Sequence, residues 1–103
     1  MSPRVKIRTG VLSCPRCYGK NLHQRAVDVF IRAAEDSAGG TAVTHRDAGF
    51  SAFLPMSQNP SSRRDGIRIA FDCEACHLED RWDPLFLTIV QHKGETLVEW
   101  ETL

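Results

Sequence analysis

The sequence has no net charge, because thirteen basic and thirteen acidic side chains cancel within 103 residues. Global charge therefore points to neither a nucleic acid nor a membrane surface. Long apolar runs are also missing. The longest, PLFLTIV at residues 84–90, falls far short of the roughly 18 residues that span a bilayer. The opening stretch, MSPRVKIRTGVLS, alternates charged and apolar residues and lacks the continuous apolar segment of a signal peptide. The expected location is cytoplasmic, with no membrane partner. The sequence carries no low-complexity tract and no internal repeat beyond two short cysteine pairs. Acid pairs occur at Asp72/Glu74 and Glu79/Asp80, but no nucleophile motif, phosphate loop or open metal position accompanies them. A non-enzyme without a small-molecule substrate is expected. Apolar residues make up 42% of the chain, enough for one small core with little stability to spare. One domain over residues 1–103 follows, with residues 49–65 as a long loop rich in Ser, Pro, Gly and Asn.

The distribution of charge is less even than its sum. Residues 1–25 hold Arg4, Lys6, Arg8, Arg16, Lys20 and Arg25 and no acid, whereas residues 69–103 hold eight acids against Arg81 and Lys93. Either one face is positive, or the two ends lie side by side and neutralise each other.

Local patterns are mainly β. AVDVFIRA alternates, with Val27, Val29, Ile31 and Ala33 on one side and Asp28 and Arg32 on the other. A helix over 26–36 is the rival reading, and the Val-x-Val-x-Ile alternation favours the strand. DSAGG supplies a turn and TAVTHRD a return strand. GIRIAFDC places Ile67, Ile69 and Phe71 on one face. PLFLTIVQ and ETLVEWE flank His92-Lys93-Gly94, which predicts a hairpin with a three-residue loop closed by glycine.

Cysteine is scarce, but its four copies are paired: Cys14 with Cys17 and Cys73 with Cys76, each C-x2-C, separated by fifty-five residues. Two matched pairs suit tetrahedral zinc, because each tight turn brings two sulfurs together and two turns complete the shell. A filled shell leaves no position for activated water, so such a Zn²⁺ is structural. Iron can occupy the same four thiolates. A thioredoxin-like redox motif at CPRC would need a βαβ setting that the flanks do not provide. A structural disulfide disagrees with a reducing compartment. The intervening length exceeds the 15–20 residues of simple zinc motifs, and an antiparallel hairpin insertion can close that gap.

The pairs resemble zinc ribbons, whose two cysteine knuckles each sit at a β-turn. The stretches CPRC, NPSSRRDG, FDCEAC and QHKGETLVEW together are similar to a group of small bacterial and phage zinc-ribbon proteins, over about residues 13–101. The resemblance implies the ribbon and its ligands, and it implies no activity. Many ribbons place glycine directly after the second cysteine of a knuckle. Here those positions are Tyr18 and His77, with Gly19 one place late.

Other residues admit a sharp and a plain reading. His77 and His92 could join the metal, although four thiolates already satisfy it. Arg63 and Arg64 in NPSSRRDG could grip phosphates, with Asn59, Ser61 and Ser62 as small donors, or pair with the acidic C-terminal third. Arg16 and Lys20 beside the first knuckle could contact nucleic acid, or offset the negative charge of a four-thiolate centre. Trp82 and Trp100 could stack on bases or pack in the core, and Trp100 shares a face with Val98. The leading expectation is a nucleic-acid-binding module acting through Arg16, Lys20, Arg63 and Arg64. A protein-binding adaptor or phage-encoded inhibitor docking on a larger complex is the alternative, and a thiol–disulfide protein is the third.

Overall fold

The computed structural model describes residues 4–80 and 82–101. The first three residues of the opening stretch, Arg81 of the acidic third and the last two residues of the expected domain lie outside that description. The described residues form eight strands: β1 (Ile7–Arg8), β2 (Val11–Leu12), β3 (Leu22–Arg32), β4 (Gly40–Arg46), β5 (Ser51–Phe53), β6 (Gly66–Cys73), β7 (Leu85–His92) and β8 (Glu95–Trp100). A single helical turn, α1 (Glu74–His77), follows β6. β1 and β2 make a two-stranded ribbon, and the other six form one antiparallel sheet in the order β5-β4-β3-β6-β7-β8. The mainly β expectation holds.

The strand reading of 26–36 prevails over the helix, but its buried side is the reverse of what hydrophobicity suggests. Ala26, Asp28 and Phe30 are buried, whereas Val27 and Val29 are half-buried and Ile31 is 50% exposed. The cause lies across the strand. The connection 54–65 lies against the Asp28 side: Met56–Gln58 packs on β4, and Gln58 Oε1 accepts from Arg68. Arg68 pairs with Asp28 at 2.9 Å and lies over the rings of Phe30 and Phe86. A buried carboxylate is tolerated because this guanidinium both neutralises and hydrogen-bonds it.

A register shift between Gln24 and Ala26 marks a β-bulge in β3. The extra residue is Arg25, whose guanidinium meets Asp72 and Asp47. Because side chains alternate with a period of two, one extra residue reverses the facing of everything beyond it. Leu22 therefore shares the side of Val27 and Val29 rather than that of Ala26.

The expected 49–65 loop is shorter. Ser51–Phe53 pairs with β4 as an edge strand, since Val43, Thr44 and His45 stand opposite Phe53, Ala52 and Ser51. The remainder is internally bonded. Asn59 accepts from the Ser61 N–H and donates to Arg64 O, and Ser61 Oγ accepts from the Arg64 N–H. Arg32 donates to Ser37 O, Ser61 O and Arg64 O, tying this loop to the β3–β4 turn.

The C-terminal hairpin forms with a two-residue loop, not three: His92 pairs with Glu95, leaving Lys93 (φ 49°) and Gly94 (φ 83°) at the turn. Two successive left-handed residues give a type I′ geometry, whose twist matches that of the flanking strands.

Candidate metal centre

The first knuckle is built by the chain turning back on itself after β2. Cys14 N–H donates to Gly19 O at 2.8 Å, and Tyr18 N–H donates to Cys14 O at 2.9 Å. Inside this turn the Arg16 and Gly19 N–H groups point at Cys14 Sγ and Cys17 Sγ, each at 3.4 Å. Tyr18 has φ 62°, the left-handed conformation that glycine adopts without a Cβ penalty. The knuckle thus keeps the geometry of a glycine-bearing turn with tyrosine in the glycine's place. Gly19 lies close to the site: a Cβ there would stand 3.2 Å from Cys17 Sγ, a tight contact that the sulfur would have to yield to.

The second knuckle is made differently. Cys73 ends β6 and sits at the start of the single helical turn α1, and Cys76 is the buried residue within that turn. Glu74 N–H donates to Asn21 O at 3.1 Å, which joins the two knuckles through backbone. β3 and β6 run antiparallel with Leu22 opposite Cys73, so the long insertion delivers its end next to its beginning.

All four sulfurs lie within 4.8 Å of one another, with Cys14–Cys76 at 3.8 Å and Cys17–Cys73 at 3.5 Å. A disulfide would hold two of them at about 2.05 Å, so all four are free thiol groups. A four-thiolate tetrahedron with metal–sulfur bonds of about 2.3 Å places its sulfurs about 3.8 Å apart. The cluster fits one metal ion. Cys14, Cys73 and Cys76 are buried and Cys17 is half-buried. Burial, and then the contacts of Cys76 with the sulfurs of Cys73, Cys14 and Cys17, push the Cys76 thiol well above its ordinary value. Four thiolates cannot share such a place without a cation.

The core of this end grows around the cysteines. Phe71, Leu85, Leu87 and Trp100 pack with Cys14, Cys73 and Cys76, and Val5, Leu12, Leu22 and Ile69 close the margin. Phe71 and Trp100 meet edge to face at 5.8 Å. Trp100 is therefore a core residue and shares its sheet side with Val98. Trp82 is 65% exposed and stacks on His77 at 4.3 Å.

No histidine joins the sulfur cluster among the described residues. His77 stacks on Trp82, His45 meets Ser51 Oγ, and His92 stands at the end of β7.

The residues expected to meet nucleic acid separate into three situations. The Arg16 side chain is 5% exposed and is tied to the Asp83 carboxylate and to Asp83 O, so it braces the knuckle. Arg63 and Arg64 are exposed, but their partners are Asp36 and Glu35 of the β3–β4 turn rather than the acidic C-terminal third. That pairing raises the Arg63 guanidinium and holds the Asp36 carboxyl below its ordinary value. Asn59 and Ser61 serve the loop's own backbone. Lys20 is exposed and has no ion-pair partner among the described residues.

The two charged ends do meet, in part. Arg16 pairs with Asp83 and Arg25 with Asp72. Arg4, Lys6 and Arg8 are exposed and, among the described residues, make no ion pair. Arg4, Lys6 and Tyr18 line a cleft of about 220 Å³ beside Cys14, and Lys6, Arg8 and Tyr18 line an adjoining one of about 260 Å³. Lys6 Nζ lies 5.0 Å from the centre of the Tyr18 ring, which is 68% exposed. Sequence reasoning noted the basic run but not this cluster, because the β1–β2 ribbon that folds it onto the knuckle is only two residue pairs long. No helix of the described residues is long and apolar enough to cross a membrane. No family model, curated protein or solved structure matches the chain, so the four-sulfur cluster is what identifies this site.

Proposed function

We propose that this chain is a non-enzymatic zinc-ribbon module that engages nucleic acid on the surface of its first knuckle. Cys14, Cys17, Cys73 and Cys76 hold Zn²⁺, a borderline-soft dication without directional preference that accepts four thiolates at this spacing. All four protein ligands fill the shell, and the ion's part is to hold the two knuckles together. Metal analysis of protein purified without chelator tests this part. About one zinc per chain is expected, and a red, iron-loaded preparation would replace zinc by iron.

One observation carries the nucleic-acid reading: Arg4, Lys6 and Arg8 converge with Tyr18 in adjoining clefts beside Cys14, free of carboxylates among the described residues. Cations next to an exposed ring match the needs of a single strand, whose phosphates seek charge and whose bases stack. The same cations also offset the net negative charge of a four-thiolate zinc centre, so binding must be measured. Each phosphate contact contributes roughly 0.7 to 0.9 to the slope of log affinity against log salt. Lys6→Ala with Arg8→Ala should flatten that slope by about one to two units while zinc content stays the same. Arg63→Ala with Arg64→Ala should leave it unchanged. Wild-type protein that fails to bind single- or double-stranded nucleic acid at low salt would overturn the reading.

A thiol–disulfide role is disfavoured, because a reactive thiolate must be reached by its substrate and three of the four sulfurs are buried.

A further inference from the structure

The two sides of the six-stranded sheet differ in charge. Strand pairing puts Asp28, Arg46, Arg68, Glu95 and Glu99 on the side covered by the 54–65 connection. The opposite side carries Val27, Val29 and Ile31 from β3, Val43 from β4, Phe53 from β5, Ile67 and Ile69 from β6, Ile89 from β7 and Val98 from β8. Its polar members beyond the bulge are Thr41, His45, Ser51, Gln91 and Thr96. No Asp, Glu, Lys or Arg of these strands, from Ala26 onward, projects from it. At one end this side is capped by the first knuckle, which buries Phe71, Leu85, Leu87 and Trp100. Beyond that cap it stays open: Phe53 is 83% exposed, Ile31 50% and Val98 42%.

A sheet with an apolar face is stable when a second layer covers it, and this sheet has that layer only under the knuckle. We propose that the missing layer is a second copy of this chain, packed face to face over Val29, Val43, Ile67, Ile89 and Val98 into a two-sheet sandwich. Charge selects the occupant. A two-fold contact sets a surface against itself, and this surface has no formal charge to repel its own image. A nucleic acid or an anionic bilayer would find no cation on it. Zero net charge at neutral pH also removes the long-range repulsion between copies.

The area is of the right order. Five strands over five residues and β5 over three, with strands about 4.8 Å apart and residues about 3.3 Å long, give a flat footprint of roughly 440 Å² per copy. Two copies cover roughly 890 Å² of flat area, and side-chain relief brings the accessible area buried to the roughly 1,000 Å² of a specific interface. The contact rests on the fold alone and is independent of nucleic-acid binding.

Sedimentation velocity and light scattering on the full, zinc-loaded chain test this between about 1 and 100 µM. The expected mass is twice 11.6 kDa at the upper end. Ile31→Glu and, separately, Val98→Lys should each shift the protein to monomer, because both side chains are already exposed and can be changed without opening the core. Zinc content and the thermal melt verify that each variant is folded. Glu99→Lys, on the opposite side of the same edge strand, should leave the dimer intact. Wild-type protein that stays monomeric at 100 µM overturns the proposal. So does a dimer that survives both substitutions, since its interface would then lie elsewhere.

Discussion

Leu22 stands directly opposite Cys73 across β3 and β6. This single register position connects the topology to the metal centre: it sets the residues after the first knuckle against the start of the second. A slip of one residue would turn Cys73 to the other side of the sheet and leave Cys14 and Cys17 facing an incomplete site.

Folding should therefore depend on the metal. Binding of the ion supplies folding free energy because the unfolded chain has no preformed site. Chelation is expected to abolish cooperative unfolding, and all four cysteines should resist alkylation until the chelator is added. Cys73→Ser should give the same loss, or insoluble protein. Circular dichroism melts and thiol counting check both, and an unchanged melting temperature for Cys73→Ser would remove the cluster from the centre of the fold.

Tyr18→Gly offers a different outcome. The left-handed backbone at φ 62° suits glycine, so the variant should gain up to about 1 kcal/mol, reduced by the freedom glycine adds to the unfolded chain. Its nucleic-acid affinity should fall, because the exposed ring is lost. A melt combined with a binding titration separates the two effects.

Arg68→Met should be among the most damaging substitutions outside the cysteines. It strands the Asp28 carboxylate, 7% exposed, without its cation, and breaking such a pair costs about 3–5 kcal/mol. Adding Asp28→Val should restore much of the loss, since the charge and its partner then disappear together. Denaturant unfolding of both single variants and the double variant measures the coupling.

The Arg63–Asp36 pair makes a pH prediction. The hydrogen bond and charge of Arg63 lower the Asp36 carboxyl, so the pair's contribution is present above the ordinary carboxylate value and is lost as pH falls through the lowered one. Arg63→Ala should move the Asp36 titration back up toward its ordinary value, followed by NMR, since Arg63 is the largest lowering cause. The melting temperature at neutral pH should hardly move, because the pair lies on the surface, where water screens it.

Several features were legible in the chain itself. Two C-x2-C pairs define a four-sulfur site wherever the fold lets them meet, because ligand chemistry resides in residue type and local turn. Period-two alternation marked β3, β6 and the C-terminal hairpin, since strand geometry writes itself into hydrophobicity. The placement of Val98 and Trp100 on one side followed from the same rule.

Other features came only from tertiary contacts. The bulge at Arg25 has no local signal, yet it decides which side Val27, Val29 and Ile31 occupy. Hydrophobicity named those residues as one face. It could not reveal that the buried side would be that of Asp28 and Phe30, because the cover, residues 54–65, comes from a distant part of the chain. The partners of Arg16 and Arg63 were likewise out of reach, since ion pairs depend on which loops lie together in space. Sequence alone marked the four cysteines and the strands β3, β4, β6, β7 and β8; tertiary structure added β1, β2 and β5, and it decided which face is buried and which charges remain free, because the last two depend on contacts between residues far apart in the chain.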